Sequence, residues 1–273
     1  MTAPSDPPTR SPDRRLSDAD VARILPLLEG SSSVELKTSI PMPAQLAAIR
    51  GLPLDPVEAQ PRQVFFFDTR DLALDRAGVV VRARRIQGGR GDTVVKLRPV
   101  EPTELPQDLR RDAGFVIELD ALPGGFMCSG SLRGRATAAE VRDVADGSVP
   151  LRKILSKEQR ALYSAHAPEG LGLDDLVVLG PVFILKSTFM TPLVERRDAP
   201  ERRLVAEMWL FPDGTRVLEI SLKCLPTEAF QVAAEARAYL ARLGIDITGE
   251  QQTKTRKALS YFSSLPVDGG SPS

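Results

Sequence analysis

Two stretches far apart in the chain carry charge at every second position. Residues 33–37 read SVELK and residues 219–223 read EISLK. Side chains alternate across a strand, so Ser33, Glu35 and Lys37 share one face, and Glu219, Ser221 and Lys223 another. The same alternation pairs Arg82 with Arg84 in VVVRARR, Lys96 with Arg98 in VVKLRP, and Glu118 with Asp120 in FVIELDA. Lys186 stands among apolar neighbours in VFILKSTF, and Glu207 aligns with Val205 and Trp209 in LVAEMWLF. Carboxylate oxygens suit Mg²⁺ or Mn²⁺. Arginine and lysine suit phosphate oxygens. The charges are sorted by sign, one set basic and the other acidic, whereas a merely solvated face mixes them. The chemistry such faces support is capture of a highly anionic ligand that carries a divalent metal.

Faces of this kind must be positioned by strands. Period-two patterning predicts strands at 33–40, 63–68, 78–86, 92–98, 114–120, 177–189, 202–211 and 215–224, with FPDGT at 211–215 turning a hairpin. Helical spacing predicts a short helix from about residue 17 and further helices at 44–50, 137–145, 156–166, 227–243 and 250–263. Helices need apolar sheet surface to pack on. If they cover the outer face, the charged face lines an interior, as a closed antiparallel barrel provides. The expected fold is therefore α+β, an antiparallel barrel of about eight strands with helices outside. It spans 17–265 as one domain with a helical insertion at about 121–176. The Pro/Ser-rich residues 1–16 and the tail 266–273 read as disordered.

Composition narrows the function. Lys+Arg 36 balances Asp+Glu 36, so no global basic field exists and nucleic acid is not an expected partner. No apolar run approaches the ~20 residues of a membrane-spanning helix. The N-terminus has no apolar core of a secretory signal. Two cysteines, Cys128 and Cys224, are too few for a disulfide framework, and a cytoplasmic, reducing location is expected. The single histidine, His166, leaves no multi-histidine metal site.

The ordered motifs resemble the CYTH superfamily, the triphosphate tunnel metalloenzymes, which include thiamine triphosphatase, inorganic triphosphatases and class IV adenylyl cyclases. SVELK is similar to the family's opening ExExK, with Ser33 in place of the first glutamate. FFFDTRDLALDRAGVVVRARR, DTVVKLRP, FVIELDA, AEMWLFPDGTRVLEISLK and QQTKTRKALSYF resemble its successive later segments, over about residues 32 to 263. The resemblance implies Mg²⁺ or Mn²⁺ held by Glu35, Glu207 and Glu219. It implies phosphate contacts from Lys37, Arg82, Arg84, Lys96, Arg98, Lys186, Lys223 and Lys254, with Glu35, Glu219 and Lys37 at the reacting centre. Glu118 and Asp120 are read as orienting the arginines, and Asp68 as capping a turn. The implied activity is metal-dependent hydrolysis of a small triphosphate: inorganic triphosphate, thiamine triphosphate or a nucleotide. Ser33 and Ser221 each replace a family carboxylate, which leaves fewer ligands for a second metal. A catalytically weakened polyphosphate- or nucleotide-binding module and an adenylyl cyclase are the alternatives.

Overall fold

The alternating segments become strands, and the computed structural model describes residues 18–55, 57–123, 125–245, 247 and 253–265. The expected tails 1–16 and 266–273 lie outside the described residues. The strands are β1 (Ser33–Ile40), β2 (Gln60–Asp68), β3 (Val79–Ile86), β4 (Arg90–Leu97), β5 (Phe115–Leu122), β6 (Gly125–Thr137), β7 (Val177–Pro192), β8 (Glu201–Leu210) and β9 (Arg216–Cys224). The helices are α1 (Asp18–Glu29), α2 (Met42–Gly51), α3 (Ala73–Arg76), α4 (Gln107–Arg111), α5 (Ala138–Ala145), α6 (Lys157–His166), α7 (Ala229–Arg242) and α8 (Lys254–Ser263).

The strands close into a barrel in the order β1-β5-β6-β4-β3-β2-β7-β8-β9. Every described pairing is antiparallel except β1 with β5, which run parallel. The α+β barrel is thus as expected, with one strand more than the eight read from alternation. The extra strand is β6, within the segment expected to be a helical insertion; the helices there, α5 and α6, follow it. Its small residues have a steric reason. A Cβ on Gly130 would lie 2.2 Å from the Phe115 ring, and one on Gly134 would lie 2.5 Å from Gln159 Oε1 and Thr93 Oγ1. That close packing puts glycine at two outward positions, so the apolar alternation of Cys128, Leu132 and Ala136 is interrupted in sequence.

Local rules fix the surrounding elements. Ser156 and Gln159 form a reciprocal capping box that starts α6, and Thr137 and Glu140 do the same for α5. Gln159 also donates to Leu132 O at 3.1 Å, tying α6 to β6. Asp68 accepts from the backbone N–H of Thr69, Leu74 and Asp75, capping the turn after β2. Gly214, at φ 82°, supplies the left-handed position of the β8–β9 turn.

Two apolar clusters result. The larger joins outward strand residues such as Val34, Val81, Ala83 and Leu119 to Leu27 and Leu28 of α1, Val141 of α5, Leu162 of α6 and Val232 of α7. The smaller lies on the opposite, inward face: Val64, Phe66, Val182, Ile184 and Trp209 pack against Ala258, Leu259 and Phe262 of α8. α8 therefore plugs the barrel interior, and burying Leu259 and Phe262 contributes about 1.5–3 kcal/mol each.

Candidate functional site in the barrel interior

Cross-strand partners project from the same face of a sheet, so the register defines the lining. Phe66 pairs Arg82 and Val64 pairs Arg84; Val80 pairs Lys96 and Arg84 pairs Asp92. Lys96 pairs Ser131 and Asp92 pairs Arg135, while Glu118 pairs Ser129. Ser33 and Glu35 pair Glu118 and Asp120, and Glu35 pairs Lys223 on the other side. Glu219 pairs Glu207, which pairs Lys186. Every charged position singled out on these strands thus faces the interior. Arg98, just past β4, turns its guanidinium to Asp120 as well.

The lining is divided by sign. Acids come from four neighbouring strands: Glu207 on β8, Glu219 on β9, Glu35 on β1, and Glu118 and Asp120 on β5. Facing them, β6, β4, β3, β2 and β7 carry Arg133, Lys96, Arg82, Arg84, Arg62 and Lys186. Lys37 and Lys223 interrupt the acidic wall, and Asp92 the basic one. Arg62, Asp92, Arg133 and Arg135 were not singled out in the sequence. The two β6 arginines are hidden there with their strand; RGRAT carries the alternation, but its outward residues are only Gly134 and Ala136.

Asp120 is the hub of the acidic wall. It is 0% exposed and lies 2.8 Å from Lys37, 3.4 Å from Arg98 and 3.6 Å from Lys96. Burial opposes its charge, yet Lys37, Lys96 and Arg98 hold its carboxyl down at about 2. Lys37 also reaches Glu35 at 3.1 Å. Burial disfavours the Glu35 charge too, but Lys37 leaves its carboxyl below the ordinary range. The Lys37 ammonium is in turn held charged against burial by Asp120 and Glu35. Lys223 bonds Glu118, whose carboxylate also accepts from Ser33 Oγ at 3.3 Å.

Glu35, Glu118 and Asp120 each present an oxygen within 4.8 Å of the others. Among the described residues these three form the carboxylate group spaced to hold a metal. Of the metal ligands implied by the family resemblance, Glu35 belongs to it. Glu207 and Glu219 stand apart; the ammonium of Lys254 at the start of α8 donates to Glu207 and forms an ion pair with Glu219 at 2.6 Å. Trp209 is a core residue; its indole N–H donates to Glu207 at 3.3 Å.

The basic wall is less satisfied. Arg84 bonds Asp92 through Nε at 3.0 Å, but Arg82 forms no ion pair among the described residues and its buried Nε has no hydrogen-bond partner. Burial and the neighbouring Arg84 bring its guanidinium down to about 10. Burial lowers Lys96 to about 8, with Lys37 and Arg98 adding to the effect against Asp120. Burial and Arg62 bring Lys186 to about 8 as well. For these cations burial outweighs the nearby carboxylates.

No protein-family model and no curated protein matches the chain. Solved structures do. A Hippeastrum adenylyl cyclase candidate, described as revealing a dominant triphosphatase activity, superposes with a TM-score of 0.60 at 15% identity over 86% of this chain and 99% of that one. An adenylate cyclase candidate from Bacillus halodurans gives 0.55 at 13% identity, over 83% and 97%. The chain shares the tunnel fold of these structures. In the tunnel, the lumen is the sign-divided interior, and α8 is its plug. His166 lies on α6, outside the lumen, and Cys128 and Cys224 sit on the outward strand face, paired with Leu119 and Val34.

Proposed function

We propose that the tunnel binds a small triphosphate with a divalent metal and hydrolyses its terminal anhydride. The half-buried Arg82, whose Nε is buried without a hydrogen bond in the lumen, carries this reading. Arg82, Arg84, Lys96, Arg98 and Lys186 would hold the phosphate oxygens, and Arg133 extends the same wall. The donor set fits a hard cation: Glu35, Glu118 and Asp120 are carboxylates, they converge, and Asp120 Oδ2 is buried without a hydrogen bond. Mg²⁺ or Mn²⁺ there would neutralise phosphate charge as it develops in transfer. Three carboxylates already meet Lys37, Lys96, Arg98 and Lys223. A metal therefore binds there more tightly once the triphosphate draws those cations toward itself.

The chain's own part in the reaction is positioning and electrostatics. The basic wall fixes the polyphosphate and stabilises charge on its oxygens in a lumen where water screens weakly. Lys37, between Glu35 and Asp120, is placed to follow negative charge from carboxylate to phosphate. Neither the histidine nor a cysteine faces the lumen, and direct transfer to water needs neither. The triphosphatase activity described for the Hippeastrum protein supports this choice over cyclisation. The test is phosphate release from inorganic triphosphate, thiamine triphosphate and ATP with Mg²⁺, Mn²⁺ or chelator. Metal-dependent release is expected. Cyclic AMP formation without phosphate release would select the cyclase, and triphosphate binding without turnover the binding module.

A further inference from the structure

Glu207 and Glu219 are direct cross-strand partners, and two carboxylates so placed repel unless a cation lies between them. The cation present comes from outside the strands. Lys254 bonds Glu207 Oε2, stands 2.6 Å from Glu219 Oε1, and sits 5.3 Å above the Trp209 ring. Its helix is anchored in the lumen by Ala258, Leu259 and Phe262, and Arg70 bonds the Phe262 carbonyl at 3.3 Å. Glu219 is 3% exposed and the Lys254 side chain 18%, so the ammonium is largely shielded. On the other side, Lys186 is the register partner of Glu207. Lys254 thus supplies the positive charge at the carboxylate pair, in the place a metal would take. Between Glu219 and Lys223 the strand offers Ser221, which brings no further negative charge for a divalent ion.

We propose that Lys254 is a built-in cation of the lumen: it holds the Glu207–Glu219 pair, keeps divalent ions out of it, and limits the tunnel to one metal, at Glu35, Glu118 and Asp120. This rests on the reading of the lumen as a metal–triphosphate site, but it is tested without turnover.

The experiment is Mn²⁺ binding to the ligand-free protein at pH 7, read by the electron paramagnetic resonance signal of free Mn²⁺. Lys254→Met keeps the aliphatic stem over Trp209 and removes the charge. It is expected to bind one Mn²⁺ per chain more than the wild type, and Glu219→Gln added to it should abolish that gain. Lys254→Arg should keep the wild-type count. In the wild-type background Glu219→Gln should leave Mn²⁺ binding unchanged, which keeps the proposal testable even if Lys254→Met folds poorly. An unchanged count in folded Lys254→Met, or loss of Mn²⁺ from Glu219→Gln alone, overturns it. Absence of phosphate release from the wild type would instead count against the hydrolytic reading, without touching these counts.

Discussion

Asp120→Asn is the substitution whose consequences the structure specifies most fully. The carboxylate is buried and meets Lys37, Lys96 and Arg98. Its fall from the ordinary 3.8 to about 2 corresponds to about 2.5 kcal/mol in favour of the charged form. Asparagine keeps a carbonyl for Lys37 but leaves three half-buried cations without their shared charge, so the cost lies between that figure and the about 3–5 kcal/mol of a broken buried pair. A loss of about 3 kcal/mol at pH 7, or roughly 6–12 °C in Tm, is expected. Because the folded carboxyl lies below the unfolded one, its contribution is complete above about pH 4 and fades as pH falls toward 2. The gap between wild type and variant should close over that interval. The assay is urea unfolding in chelator from pH 7 downward. With triphosphate and still without metal, the variant should recover more stability than the wild type gains, because its unpaired cations face the anion directly. A variant as stable as wild type at pH 7, with no larger response to triphosphate, would refute Asp120 as the hub.

Three further outcomes follow from the basic wall and the serines. Triphosphate at ~100 times its dissociation constant should stabilise the fold by about 2.7 kcal/mol. Arg82→Ala with Arg84→Ala should remove most of that melting shift, and an unchanged shift would move the clamp elsewhere. Lys96 and Lys186, at about 8 in the fold against an ordinary 10.5, bind fewer protons folded than unfolded between those values. The ligand-free protein should therefore gain stability from this pair as pH rises from 8 to 10.5, while calorimetric triphosphate affinity falls by up to about tenfold per pH unit for each lysine. A flat affinity profile would exclude them from the ligand. Ser33→Glu with Ser221→Glu should raise Mn²⁺ affinity, because position 33 pairs Glu118, and should lower metal-free stability through repulsion; calorimetry and melting in chelator read both.

Strand alternation made most of this site legible. SVELK, VVVRARR and EISLK each announce a charged face because their other face is apolar, and FPDGT fixes Glu207 opposite Glu219. Alternation does not say which strands meet. Glu35 joins Asp120 through the parallel β1–β5 pairing across 85 residues of chain separation, so the converging acids are Glu35, Glu118 and Asp120, two of which the sequence reading had kept off the metal. β6 is masked by Gly130 and Gly134, which yield to Phe115 and Gln159, and Arg133 and Arg135 are masked with it. α8 was readable as a helix, but its docking inside the barrel depends on Phe66, Val182 and Trp209 facing inward, a property of closure rather than of any one segment. Hence Lys254 could be placed near a ligand but not between Glu207 and Glu219.

The central claim is that one lumen holds metal on its acidic wall and phosphate on its basic wall. The most direct measurement is an anomalous-difference map from a crystal grown with Mn²⁺ and a non-hydrolysable triphosphate. The expected result is one Mn²⁺ peak at Glu35, Glu118 and Asp120, with phosphate density against Arg82 and Lys96. Mn²⁺ and triphosphate bound on the outer surface, with the lumen unchanged, would contradict it.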